Sequence, residues 1–98
     1  MAVRTVICFD VSEGRRRYRL VRLLLGCAER VQKSVFEARE LNEAAFLRLR
    51  SRAERLIDPA TDSLRYYRLC GACLGRAEHF GAGPGLLEAP ADFRMIGP

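Results

Sequence analysis

Apolar residues run almost unbroken through Val3-Arg4-Thr5-Val6-Ile7-Cys8-Phe9 and stop at Asp10. Such a run predicts a central strand, from about Val3 to Asp10, with little of it left in water. From about Gly14 to Ala28 the spacing changes. Leu20, Leu23, Leu24 and Cys27 recur at helical intervals with Val21 beside them, while Arg16, Arg19, Arg22 and Glu29 fall elsewhere. This predicts an amphipathic helix with Ser12 as its N-cap. Between Arg30 and Glu40, Val31, Val35 and Phe36 mark extended chain. The pattern breaks near Lys33-Ser34, which predicts two short strands separated by a sharp bend or bulge.

A second helix is expected from about Glu43 to Ile57, capped by Asn42, with Phe46, Leu49, Ala53, Leu56 and Ile57 as its apolar stripe. Asp58-Pro59 closes it, because a residue before proline avoids the helical region. Ser63 to Cys70 alternates as a strand, with Leu64 and Tyr66 on one side and Arg65 and Tyr67 on the other. A turn over Gly71 to Gly75 and one more short strand over Arg76 to Gly81 would follow. Residues 82–98 are rich in glycine and proline around Leu86-Leu87 and Phe93-Arg94-Met95-Ile96. They are too short of apolar residues for a core of their own, so they form a tail that is disordered or laid across a partner.

The order strand–helix–strand–strand–helix–strand predicts an α+β, ferredoxin-like βαββαβ domain over residues 1–81, with an extra C-terminal strand and the tail. Both helices then lie on one face of an antiparallel sheet. The other face needs cover, and a second copy docked through the sheet face is the simplest one. A chain of 98 residues buries only about two-thirds of its unfolded surface, so a dimer would usefully extend the core.

Composition narrows the function. Apolar residues make up 49% and charged residues 30%, as in a globular soluble protein. No apolar run approaches the roughly 18 residues of a membrane span, since Arg22 interrupts the longest candidate, and no secretory signal opens the chain. A cytoplasmic protein is expected. Net charge is +5, and Lys33 is the only lysine among 17 basic residues. Guanidinium forks match phosphate oxygens, so this bias favours a nucleic-acid partner. A GC-rich genome would explain arginine in place of lysine, but not the excess charge. Of the four cysteines, Cys8 and Cys27 read as small core residues, and Cys70-x-x-Cys73 is half a zinc site without a matching second pair. His79 is the only histidine and reads as a surface or strand residue rather than a general base.

Three segments carry a family likeness: Val6-Ile7-Cys8-Phe9-Asp10-Val11-Ser12; Glu29-Arg30-Val31-Gln32-Lys33-Ser34-Val35-Phe36-Glu37; and Leu56-Ile57-Asp58-Pro59 with Asp62-Ser63-Leu64-Arg65-Tyr66-Tyr67-Arg68-Leu69-Cys70. In unbroken order over about residues 3 to 80, they resemble the small CRISPR-associated protein that partners the spacer integrase. Members of that family have also been described as metal-dependent endoribonucleases. The central segment is the most specific of the three.

The resemblance implies a homodimer in which Asp10 of each copy faces the other across the twofold axis and the two share one Mg2+. Carboxylates brought together repel, and a proton or a cation relieves them. The ion would activate water and neutralise the scissile phosphate. The same resemblance ties Arg17, Arg19, Arg30 and Phe36 to substrate handling or activity, and Arg16 belongs to the same basic cluster. Arg17 and Arg19 also read as a solvated helix face, and Phe36 as core or dimer packing instead of a platform for a base. Many relatives have tyrosine before the aspartate, whereas this chain has Phe9, so a phenol oxygen is lost.

Two functions follow. In one, the dimer bridges integrase subunits during spacer acquisition and grips the backbone of double-stranded DNA. In the other, it is a magnesium-dependent endonuclease cleaving RNA or DNA, with Asp10 at the metal. A general RNA-binding module is weaker, because the usual aromatic pair is missing from the middle strands.

Overall fold

The structure, a computed structural model, describes residues 3–69 together with Glu78, Phe80 and Gly81. Its elements are β1 (Val3–Asp10), α1 (Gly14–Leu25), β2 (Glu29–Gln32), β3 (Val35–Leu41), α2 (Glu43–Glu54) and β4 (Ser63–Leu69). The sheet order is β2-β3-β1-β4 and every pairing is antiparallel. That is the ferredoxin-like order, with β1 and β3 at the centre.

Period-two alternation sorts β1 cleanly. Thr5, Ile7 and Phe9 point toward the helices and are buried, while Val6 and Cys8 are half-buried and Asp10 is exposed. Pairing carries this division across the sheet. Ile7 stands opposite Phe36 and Tyr66, and Val6 opposite Glu37 and Tyr67. Phe36, Ala38, Leu64 and Tyr66 therefore join the helical side, where Leu20 and Leu24 of α1 and Phe46, Leu49 and Ala53 of α2 complete the core. Val35, Glu37, Arg65, Tyr67 and Leu69 share the other face with Val6, Cys8 and Asp10. Arg4, only 7% exposed, also lies on that face, where its guanidinium meets Glu37 at 3.3 Å.

Several boundaries differ from the sequence reading. Helix α1 stops at Leu25 because the chain tightens at Gly26, whose N–H donates to Leu23, while Ala28 closes back on the Leu24 carbonyl at 2.8 Å. Cys27 thereby leaves the helix and is exposed rather than in the core. Its N-cap is Glu13, not Ser12: the Glu13 carboxylate accepts from the N–H groups of Arg16 at 2.9 Å and Arg15 at 3.1 Å. Asn42 caps α2 as expected, accepting from Ala45 N–H at 2.8 Å. That helix ends at Glu54, short of the expected Ile57. The break at Lys33-Ser34 is a two-residue turn joining β2 to β3, and a register shift between Arg30 and Gln32 bends β2 just before it.

The cysteine pair Cys70/Cys73, His79 and the tail 82–98 lie outside the described residues. Of the expected strand 76–81, the described Glu78, Phe80 and Gly81 are in no strand of this chain. Among the described residues, no helix is long and apolar enough to cross a membrane.

Candidate nucleic-acid interface

The topology gathers four segments at one end of the sheet: the end of β1 with Asp10, the start of α1, the β2–β3 turn and the start of β4. Asp10 pairs in register with Ser63, and Phe9 N–H donates to the Ser34 carbonyl at 3.1 Å. Asp10 is exposed, and among the described residues its side chain has no hydrogen-bond or ion-pair partner. A strand-end carboxylate left in this state is available to a cation.

Beside it sits an acid that the sequence reading did not single out as a site residue. The side chain of Asp62 is fully buried, between the β1–α1 loop and the α2–β4 loop. It accepts from Arg16 Nε at 2.9 Å, Asp58 N–H at 2.9 Å, Ser12 N–H at 3.0 Å, and the hydroxyls of Ser12 and Thr61 at 3.1 Å. The Arg16 guanidinium, helped by the two backbone N–H groups and the Thr61 hydroxyl, holds this carboxyl well below the usual carboxylate range against the opposing effect of burial. Ser12 is thus a tether between loops rather than a helix cap. The available signal was the Asp58-Pro59-x-x-Asp62 turn, whose acid is placed to close on its own backbone.

Arg16 is therefore committed to Asp62, with only 29% of its side chain exposed. Arg17 donates from Nη2 to the Val11 carbonyl at 3.2 Å, which holds the β1–α1 loop against the helix. Arg19 is exposed and makes no hydrogen bond or ion pair among the described residues. Arg30 is exposed on the neighbouring hairpin. Its Nε and Nη2 donate to the Lys33 carbonyl at 3.0 and 2.6 Å, and its guanidinium lies 5.7 Å from the Phe36 ring centroid. For Phe36 the burial favours the packing reading over the platform for a base. Its ring is 0% exposed and packs against Phe9 at 6.1 Å, so no base can stack on it.

Among the described residues no three His, Cys, Asp or Glu side chains converge as a metal site. One chain offers an ion the single carboxylate of Asp10. Magnesium takes about six oxygens but accepts water in most positions. That single carboxylate is a donor of the right kind for such an ion, and by itself it is too few for one.

The family described as CRISPR associated protein Cas2 matches residues 1–77 of this sequence. The chain belongs to the Cas2 family. A CRISPR-associated endoribonuclease Cas2 of Chloroflexus aurantiacus is 42% identical over 80 residues, covering 81% of this chain and 85% of its own length. Another, from Rhodospirillum rubrum, is 43% identical over 84 residues, covering 81% and 87%. Among solved structures, Streptococcus pyogenes Cas2 superimposes with a TM-score of 0.69 at 32% identity, over 80% of this chain and 99% of that one. A chain of a partial Cas6-RT-Cas1–Cas2 complex does so with a TM-score of 0.72 at 28% identity, over 91% and 95%. The Cas2 likeness puts Phe9 in perspective. Its side chain points into the helical layer and Asp10 points to the opposite face, so a tyrosine at this position would carry its hydroxyl away from the aspartate.

Proposed function

We propose that this chain acts in CRISPR adaptation, as a cytoplasmic homodimer that bridges Cas1-type integrase subunits and holds double-stranded DNA by its backbone. The observation that carries this reading is the fit to a chain of a partial Cas6-RT-Cas1–Cas2 complex over 91% of this chain. The uncovered sheet face supports it, because half-buried Val6, Cys8 and Val35 and exposed Tyr67 need a second surface. The arginine excess supports backbone contact, which needs no base readout and weakens steeply with salt.

A second reading, cleavage of RNA or DNA phosphodiester bonds, is favoured by one observation: the exposed, unpartnered carboxylate of Asp10 at the end of β1. In a dimer, Asp10 of both copies would hold Mg2+, which supplies positive charge to the phosphate and acidity to a bound water. Asp10 would place that charge at the strand ends, with exposed Arg30 of the neighbouring hairpin to draw in the backbone.

Reconstitution with a Cas1-type integrase tests both. Asp10→Ala is expected to abolish any metal-stimulated cleavage by the purified protein and to leave spacer capture in cells intact. Loss of spacer capture with the complex still assembled would make cleavage part of the role. Failure of the wild-type chain to associate with the integrase would overturn the bridging reading.

A further inference from the structure

The helical layer carries a charged surface that the strand-end site does not use. Between α1 and α2 lies an open groove of about 680 Å³, lined by Tyr18, Arg19, Arg22, Arg52 and Arg55 over a floor of Leu23 and Leu56. A second hollow of about 380 Å³ continues it past Arg48 and Cys27, sharing Arg22 and Arg52. Among the described residues no acidic side chain lines either hollow. Along α2 and its C-cap, Arg48, Arg52 and Arg55 follow each other at four- and three-residue spacing, which places them in one row about 10 Å long.

Several other described arginines are already committed to partners. Arg16 is held by Asp62, Arg17 by a carbonyl, and Arg50 and Arg68 lie over the Phe46 ring at 5.7 and 4.2 Å. Among the described residues, Arg48 and Arg52 have no hydrogen-bond or ion-pair partner. Arg55 reaches only the Ser51 hydroxyl, at 3.2 Å, and Arg22 only Tyr18, whose hydroxyl it meets at 2.9 Å. Like charges at these helical spacings repel one another, and among the described residues no carboxylate is hydrogen-bonded or ion-paired to them. An anionic partner would.

We infer that the α1–α2 groove is a second nucleic-acid contact, taking successive phosphates of a DNA duplex along the Arg48–Arg52–Arg55 row. Phosphates of one strand advance about 3.4 Å along the duplex axis, so a row of about 10 Å meets roughly three of them. Guanidinium forks pair with phosphate oxygens more specifically than with a diffuse acidic surface. A single strand would want several exposed aromatic rings for stacking. The groove offers one, Tyr18, and Arg22 already lies 5.7 Å over its face. The surface lies on the helical side of the sheet, away from the face to which Asp10 points. It would therefore hold DNA independently of the strand-end site.

The inference rests on the nucleic-acid reading above, and the test separates the two. The full-length chain and the variant Arg48→Gln/Arg52→Gln/Arg55→Gln are titrated with a short mixed-sequence DNA duplex at several salt concentrations. Each lost phosphate contact lowers the slope of log affinity against log salt by about 0.9. The triple variant is therefore expected to lose about 2.7 of slope, and the corresponding Arg→Lys triple to keep it. Arg52→Gln alone, expected to lose about 0.9, serves if the triple variant fails to fold. An unchanged slope in a folded variant would overturn the groove assignment while leaving the nucleic-acid reading standing. The same holds if the variant loses only integrase association, which would give the surface to an acidic protein. Absence of duplex binding by the wild-type chain would remove the nucleic-acid reading itself, and the groove with it.

Discussion

Arg16 Nε donates to Asp62 Oδ2 at 2.9 Å across 46 positions of sequence. This contact ties the start of α1 to the start of β4, and so fixes the loop that follows Asp10. An arginine at the head of a helix next to an acidic strand end looks like a substrate ligand in the sequence. In the fold it is one wall of a buried ion pair, and the surface available to nucleic acid shifts to its neighbours.

Removing the acid should loosen both loops together. Asp62→Ala leaves the Ser12 and Asp58 N–H groups and the Arg16 guanidinium without their acceptor, and unsatisfied buried donors are costly. The melting midpoint is expected to fall by about 8 °C or more. Amide hydrogen exchange at Ser12 and Asp58 should accelerate ahead of the core strands. Unchanged exchange at both amides would show that the loops are held by something else.

The same carboxyl should set part of the acid sensitivity. Its folded pKa lies below its ordinary value of 3.8, so the folded state binds fewer protons there than the unfolded state. Its contribution is fully present above about pH 5 and drains away as the pH falls through 3.8 toward the depressed folded value. Asp62→Asn, which cannot ionise, is expected to be less stable at neutral pH and to lose less further stability on acidification. Parallel stability–pH curves for the two proteins would contradict this assignment.

At the alkaline end the reporter is Tyr66. Its hydroxyl donates to Glu54 at 3.2 Å and its ring meets Phe46 edge-on at 5.4 Å. Burial first, then the Glu54 charge, pushes the phenol well above its ordinary 10. The proton is held more tightly when folded, so the associated stability is present below pH 10 and lost as the pH climbs toward the raised value. Tyrosinate absorbance should show a late-titrating tyrosine that is missing from Tyr66→Phe. Identical titrations of the two proteins would refute it.

Phe36 separates packing from recognition. Its fully buried ring should make Phe36→Ala cost about 3–5 kcal/mol, measured by denaturant unfolding. Phe36→Leu refills most of the space and should keep the wild-type affinity for duplex DNA. A folded Phe36→Leu variant with a tenfold loss of affinity would return this residue to the binding surface.

The uncovered sheet face gives the last test. Tyr67 is 47% exposed and stands opposite Val6 on the side away from the helices. A Tyr67→Glu substitution places a charge where a second copy would pack. It is expected to weaken dimerisation at least tenfold in sedimentation experiments while the monomer stays folded. A dimer of unaltered strength would move the interface elsewhere.

Much of the architecture was legible in the order of residues. The strand ending at Asp10, the Asn42 cap, the turn at Lys33-Ser34 and the Phe46, Leu49 and Ala53 part of the α2 stripe all follow from side-chain period and backbone preference, which act within a few positions. The errors were local competitions with close rivals. Glu13 displaced Ser12 as the cap because its longer carboxylate reaches two N–H groups while Ser12 turns to Asp62. Gly26 ended α1 three residues early and carried Cys27 into water.

What the sequence determined by itself was the set of elements, their order and hence the sheet they form, because hydrophobic spacing is a property of neighbours. Tertiary structure decided which charges remain available. Arg16 is consumed by an acid 46 residues away, Phe36 is buried in the core against Phe9, and the arginines of α2 line a groove only because α1 lies beside them. Whether a guanidinium meets a phosphate or a buried carboxylate depends on what the chain brings to within about 3 Å of it, and helical or strand periodicity does not carry that information.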